Sequence, residues 1–386
     1  MLGLHFIKDV KIGGIEIDTY AVLRDGVYPI LEPSVFLTYI AQKSFSRETV
    51  RAYGNDLLMF FRELSEVNGT NGILEHNFRD VTDNEMNAYL NAYLRMKYGL
   101  KLRSIKRHIA TLRSFYDFAY FHGWIAERKN FSFIVRSDDV KTSELEGISK
   151  QLTLEYMTKD DLKTLLDSVR NNNFFNCKRD QLALMLGYYC NFRTHELVEK
   201  NNLRVSYLEN LITLDERGIP SITKPMKVHG KGDKVRDIRV WPEIVQPLYE
   251  FLKMAKRVGA KHLMCRPDGT PLTTLGHGTN VFRNAVTGLR IKGDLSLEEA
   301  ELWMQRHYHG LRKCYATNAV TFCYKEGKDK RHFVTNWMGH KHHETTEIYI
   351  YFEALLNQRT LAGNEIDMSK ILKTYHSSDF TEQKSE

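Results

Sequence analysis

The sequence predicts a mainly α protein with a small antiparallel β-sheet, an α+β chain organised as more than one domain. Three observations carry this. The chain has 386 residues, more than one compact core usually needs. Apolar residues recur at helix-face spacing along most of its length. A β-rich stretch (Leu211 to Leu214, Ser221 to Val228, Val235 to Val240) interrupts that pattern in the second half.

Residues 1–30 read as a short N-terminal β-like segment, with strands at Ile15-Glu16-Ile17 and Tyr20-Ala21-Val22-Leu23 broken by Gly13-Gly14 and Asp25-Gly26. Residues 31–135 are helical. Val50, Tyr53, Leu57, Phe60, Phe61 and Leu64 share a face behind Ser46 as N-cap. Met86, Tyr89, Leu90, Tyr93 and Leu94 repeat the pattern behind Thr82 or Asp83, and Ile105, Ile109, Leu112, Tyr116 and Ala119 form a third stripe. Around that third stripe lie Lys101, Arg103, Lys106, Arg107 and Arg113. They read either as a solvated basic face or as a helix side that tracks a phosphate backbone.

Residues 136–155 lack an apolar period and read as a linker. A second domain, 156–376, opens at Thr158 with Asp161 placed for a capping box, ahead of Leu162, Leu165, Leu166 and Val169. An apolar helix spans about 179 to 190. After the β-rich stretch, helices resume through the 240s, 280s, 300s and from 330 onwards. Residues 377–386 are a polar tail.

Hydrophobic residues make up 42% and charged residues 27%, an ordinary balance for a soluble globular protein. The longest apolar runs, such as Leu182 to Tyr189, are too short to span a bilayer, and no signal peptide is visible. No membrane partner is expected, and the chain reads as cytoplasmic. Five cysteines with no CxxC pair argue against a disulfide framework or a zinc ribbon. The formal net charge of +7 leans mildly towards polyanions.

Four separated segments carry chemistry. They are Asn191-Phe192-Arg193-Thr194-His195-Glu196-Leu197, His229-Gly230-Lys231-Gly232-Asp233-Lys234-Val235-Arg236, His309-Gly310-Leu311-Arg312, and Met338-Gly339-His340 with Tyr349 nine residues further on. Each has a plain explanation alone. Arg193 and Glu196 suit a helix-surface ion pair, and Gly-Lys-Gly suits a hairpin turn. His309 and Arg312 share a helix face, and Gly339-His340 suits a helix C-terminus. Tyr349 is one of 20 tyrosines. Their order and spacing together are more informative.

That combination resembles the tyrosine recombinase family (phage-integrase and Xer-like). The resemblance covers about residues 155 to 355, and more weakly the helical region 31–135, which is similar to the family's core-DNA-binding domain. It implies a helical core-DNA-binding (SAM-like) domain and a catalytic domain that close on duplex DNA as a C-shaped clamp. Arg193 and Arg312 would hold the scissile phosphate, because a guanidinium meets phosphate oxygens bidentately and keeps its proton. His309 and His340 would hydrogen-bond or assist proton transfer, since imidazole titrates near neutrality. Tyr349 would be the nucleophile, Lys231 the acid for the leaving 5′-oxygen, and Glu196 an orienting carboxylate. The bond energy stays in the 3′-phosphotyrosyl link, so neither metal nor other cofactor is implied.

Some positions depart from the family pattern. Asn191 stands in place of the usual Gly, and Lys313 in place of a common His. A longer hairpin around Asp215 to Pro220 keeps Lys224, Lys227 and Lys234 open as alternatives to Lys231, and Tyr351 is an alternative nucleophile. The resemblance implies integration or excision of a mobile element, with Xer-type resolution of chromosome or plasmid dimers as the alternative. It also implies a homo-tetramer on two DNA sites in a bacterial-type, nucleoid-associated setting, with room for accessory DNA-bending proteins or a partner recombinase. The segment Leu355 to Tyr375, apolar at Ile366, Met368, Ile371 and Leu372, would dock on a neighbouring protomer or fold back on its own. Two rivals remain: a recombinase-derived DNA-binding protein that no longer cuts, and a metal site on His307, His309, His340, His342 and His343. The latter lacks a His-x-x-x-His pair.

Overall fold

The structure is a computed structural model that describes residues 1–43, 46–67, 77–135, 151–230, 234–293, 295–340 and 343–357. Two compact units divide after Val140. In the first, Gly13 and Gly14 both take positive φ, the backbone a two-residue hairpin turn requires. The turn joins β1 (Leu2–Ile12) to β2 (Ile15–Arg24), and β3 (Tyr28–Pro29) completes a three-stranded antiparallel sheet. The two short strands expected between 15 and 23 are one continuous strand, because Asp18 and Thr19 stay extended between them. Leu2, Tyr20 and Val22 are buried, so this segment joins the core of the first unit.

Five helices follow: α1 (Leu31–Gln42), α2 (Arg47–Val67), α3 (Asn77–Asp80), α4 (Asp83–Ala88) and α5 (Leu102–Phe121), with a π-helical stretch at Tyr89–Lys97 between the last two. The Thr82 side chain accepts the Glu85 N–H while Glu85 reaches back to the Thr82 N–H, a full capping box at α4. Phe36, Phe61, Phe78 and Phe115 are fully buried, and the Phe36 and Phe115 rings meet edge to face at 5.5 Å. Each such ring contributes roughly 2–3 kcal/mol of hydrophobic stabilisation.

The second unit begins with a helical turn, α6 (residues 151–155), in which Leu152 and Glu155 are buried. These last residues of the expected linker are therefore part of the unit; residues 136–150 lie outside the described residues. The Thr158–Asp161 capping box starts α7 (Lys159–Asp167). Then come α8 (Phe174–Cys190), α9 (Val205–Leu211), α10 (Pro242–Arg257), α11 (His277–Lys292), α12 (Leu297–Gln305), α13 (Tyr308–Lys325), α14 (Lys330–Met338) and α15 (Glu344–Leu356). The β-rich stretch is two small antiparallel ribbons, β4–β5 (Thr213–Leu214 with Pro220–Ser221) and β6–β7 (Met226–His229 with Val235–Ile238). Leu211, expected to begin a strand, ends α9 instead. The apolar segment expected at 366–372 and the tail 377–386 lie outside the described residues. No described helix is long and apolar enough to cross a membrane.

Candidate active site

The site starts where α8 stops. Its second half is buried on all sides, Leu182, Leu184 and Leu186 included, which fixes the position of the helix end. Asn191 then turns left-handed (φ 58°, ψ 28°), a conformation Asn tolerates better than most residues. Its side-chain Nδ2 donates to the Trp337 carbonyl at 2.8 Å, tying the end of α8 to α14. The Asn191 carbonyl accepts from both Arg312 and Arg236, the latter at 3.0 Å.

Glu196 lies in the next turn with no exposed surface. Its carboxylate takes the Arg193 N–H at 2.7 Å and the Arg193 guanidinium at 2.9 Å. It also takes both Nη groups of Arg236, at 2.6 and 2.7 Å. Burial alone would raise the Glu196 pKa, but the Arg236 fork, with Arg312 and Arg193 nearby, brings it down to about 2. The Arg193 side chain, held on one side, is 26% exposed.

Arg312 projects from α13 and is only 2% exposed. It donates to two helix-end carbonyls, Asn191 O and Met338 O, the latter at 3.3 Å. Burial and the charges of Arg193 and Arg236 work against its proton, while Glu196 and Tyr349 work for it. Guanidinium nonetheless stays charged in proteins. His309, one turn earlier on α13, reaches solvent; crowding by the surrounding protein, then Arg312, Lys313, His307 and Arg193, push its pKa down to about 3.

Gly339 ends α14 in the left-handed conformation (φ 68°), and the His340 N–H returns to the Thr335 carbonyl at 3.1 Å, a Schellman pattern. His340 Nδ1 lies 3.1 Å from Thr346 Oγ1, which itself lies 2.7 Å from Thr335 Oγ1. These contacts orient the imidazole. Its ring stacks beside that of Tyr349 on α15, centroids 6.1 Å apart and planes 14° from parallel. Burial, then Arg312, Arg193 and Arg236, push the His340 pKa down to about 3. The packing around His340 thus favours its neutral form, where titration near neutrality was expected.

The structure thus brings Arg193, Glu196, His309, Arg312, His340 and Tyr349 into one region of the second unit. Lys231 lies outside the described residues; Lys224, Lys227 and Lys234 are exposed. Lys313 pairs with buried Glu155 at 2.5 Å. Tyr351 is half-buried and stands about 200° around α15 from Tyr349. In the first unit, Lys101 and Arg113 are exposed, Lys106 is half-buried, and Arg103 lies on α5. Arg113 lies over the Phe133 ring at 4.9 Å. The Arg107 guanidinium is taken up by buried Asp56, at 2.6 and 3.1 Å. Arg236, Asn202 and Thr346 were not anticipated as site residues. Asn202 closes the Arg193 turn onto the hairpin, bonding the Glu196 carbonyl and both backbone groups of His229. Arg236 stands in the hairpin motif itself, and Thr346 in the stretch leading to Tyr349.

Residues 35–123 match the family model described as "Phage integrase, N-terminal SAM-like domain". The chain is similar to the tyrosine recombinase XerC of Chlorobaculum parvum, 24% identical over 326 residues, covering 83% of this chain and 89% of that one. Among solved structures, it shares its fold with the XerH site-specific recombinase in a post-cleavage complex with palindromic difH substrate (TM-score 0.54, 18% identity, 81% of this chain and 79% of that one). It shares the fold too with a lambda integrase tetramer bound to a Holliday junction (TM-score 0.51, 15% identity, 86% and 78%). Likeness of sequence to a tyrosine recombinase over four-fifths of the chain, a recognised phage-integrase SAM-like domain at residues 35–123 and a fold shared with site-specific recombinases all agree.

Proposed function

We propose that this protein cuts and rejoins duplex DNA at specific sites through a phosphotyrosyl link at Tyr349. The observation that carries the reading is the placing of one tyrosine beside a neutral histidine and a buried arginine, with a second, half-exposed arginine nearby. In the reaction, Tyr349 Oη loses its proton and bonds to phosphorus while the bond to the 5′-oxygen breaks. Neutral imidazole at His340 or His309 can accept a hydrogen bond from the phenol, whose proton passes to water. Arg193 and Arg312 supply positive charge where the transition state gathers negative charge. Lys231 is our candidate donor of the proton that the 5′-oxygen needs. Attack by a 5′-hydroxyl on the phosphotyrosine reverses each step, so joining needs no ATP.

The DNA and junction complexes of the fold neighbours support duplex DNA as the partner and a tetramer on two sites. A mobile-element role is the reading we favour within the family; the XerC likeness keeps dimer resolution as the second. Lys101, Arg103, Lys106 and Arg113 on α5 are candidates for phosphate contacts from the first unit. The test uses nicked duplexes tiled across the DNA that flanks its own gene. Wild type should form an SDS-resistant adduct in EDTA that maps to Tyr349, and Tyr349→Phe should form none. Sequence-selective binding without an adduct would support the non-cutting rival instead.

A further inference from the structure

Arg236 lies on β7, outside the set of groups given roles above, yet it holds more of the site together than any other side chain described. Both its Nη groups clamp Glu196, and one also reaches the Asn191 carbonyl. Its aliphatic stem lies under Gly339: a Cβ built there would come within 2.8 Å of Arg236 Cδ. Gly230, just past the other strand of the same hairpin, faces the same pair, since a Cβ there would meet Glu196 Oε1 at 3.2 Å and Arg236 Nη1 at 3.5 Å. One buried side chain therefore touches the Arg193 turn through Glu196, the end of α8, and the residue just before His340.

We infer that Arg236 is a positioning residue for strand cleavage, which sets Arg193 through Glu196 and seats the Gly339–His340 turn beside Tyr349. This rests on the proposed cleavage at Tyr349. The guanidinium suits the task because its rigid fork meets a carboxylate with two parallel bonds, whereas a lysine offers a point charge and a thinner stem. The groups facing Glu196 are Arg236, Arg312 and Arg193, so loss of Arg236 removes its nearest counter-charge. The carboxylate then titrates at higher pH, and only below that pH does the Arg193 turn lose its anchor.

The experiment measures duplex binding and the rate of covalent adduct formation from pH 4.5 to 8, on a nicked duplex that wild type cleaves. The variants are Arg236→Lys and Arg236→Met. Adduct formation should fall roughly 10- to 100-fold at pH 7.5, the scale of a displacement of about 1 Å in a reacting group. Duplex affinity should stay within about threefold, because Arg236 is buried. The rate in Arg236→Met, which removes the charge as well as the fork, should also gain an acid limb that wild type lacks, which a merely loosened fold would not produce. A wild-type rate and pH profile in Arg236→Lys would overturn the inference, as would a loss of binding equal to the loss of rate. If Arg236→Met does not fold, Arg236→Lys alone decides. Failure of wild type to form any adduct would overturn the cleavage reading itself, a distinguishable result.

Discussion

His340 changes its expected chemistry once it is folded. Its pKa stands near 3 against an ordinary 6.5, so between those values the unfolded chain binds a proton the native protein refuses. Stability therefore falls as pH drops through that window. Glu196, at about 2 against an ordinary 4.5, acts in the same direction but only below pH 4.5. Between pH 6.5 and 5 the histidine acts without Glu196. Denaturant unfolding of His340→Gln should show a shallower fall of stability there, by at most about 1.4 kcal/mol per pH unit, the limit for one proton. An unchanged slope would mean that His340 is not held neutral. Sequence alone could name His340, because Gly-His followed by Tyr nine residues on is a spaced pattern. It could not give the charge state, which depends on burial and then on Arg312, Arg193 and Arg236 arriving from three separate segments.

At the level of elements, the caps were the most legible features. Thr158 with Asp161, Thr82 (one of two caps the sequence left open, with Asp83) and Gly339 are local signals, and each helix begins or ends where they stand. The strands were less so. The β4–β5 ribbon is two residues per strand, too short for period-two alternation to register. The π-helical stretch Tyr89–Lys97 carries the same apolar stripe as an α-helix, so its wider turn left no trace in the spacing. Gly339 shows what the caps contribute to the site. Gly339→Ala adds a Cβ at a left-handed position, against Arg236. It should cost roughly 1–2 kcal/mol in denaturant unfolding from backbone conformation alone, and a loss below about 0.5 kcal/mol would mean that the turn relaxes freely.

Over the whole molecule, two sets of core side chains divide along the chain. Leu2 to Ile125 supply one core, and the buried apolar residues from Met157 to Ile350 supply the others. A fragment of residues 1–135 should therefore melt in a single cooperative transition, read by circular dichroism, and a broad non-cooperative melt would show that it needs the rest of the chain. The strand segment 1–30 joins that core through Leu2, Tyr20 and Val22.

The grip on Arg312 has its own consequence. Its partners are carbonyl oxygens at the ends of α8 and α14, which carry no proton to gain. Acid strong enough to discharge Glu196 loosens Arg193 and leaves Arg236 its bond to the Asn191 carbonyl alone, but these dipoles stay as they were. Of the three guanidinium groups, Arg312 is the one whose aim does not depend on pH.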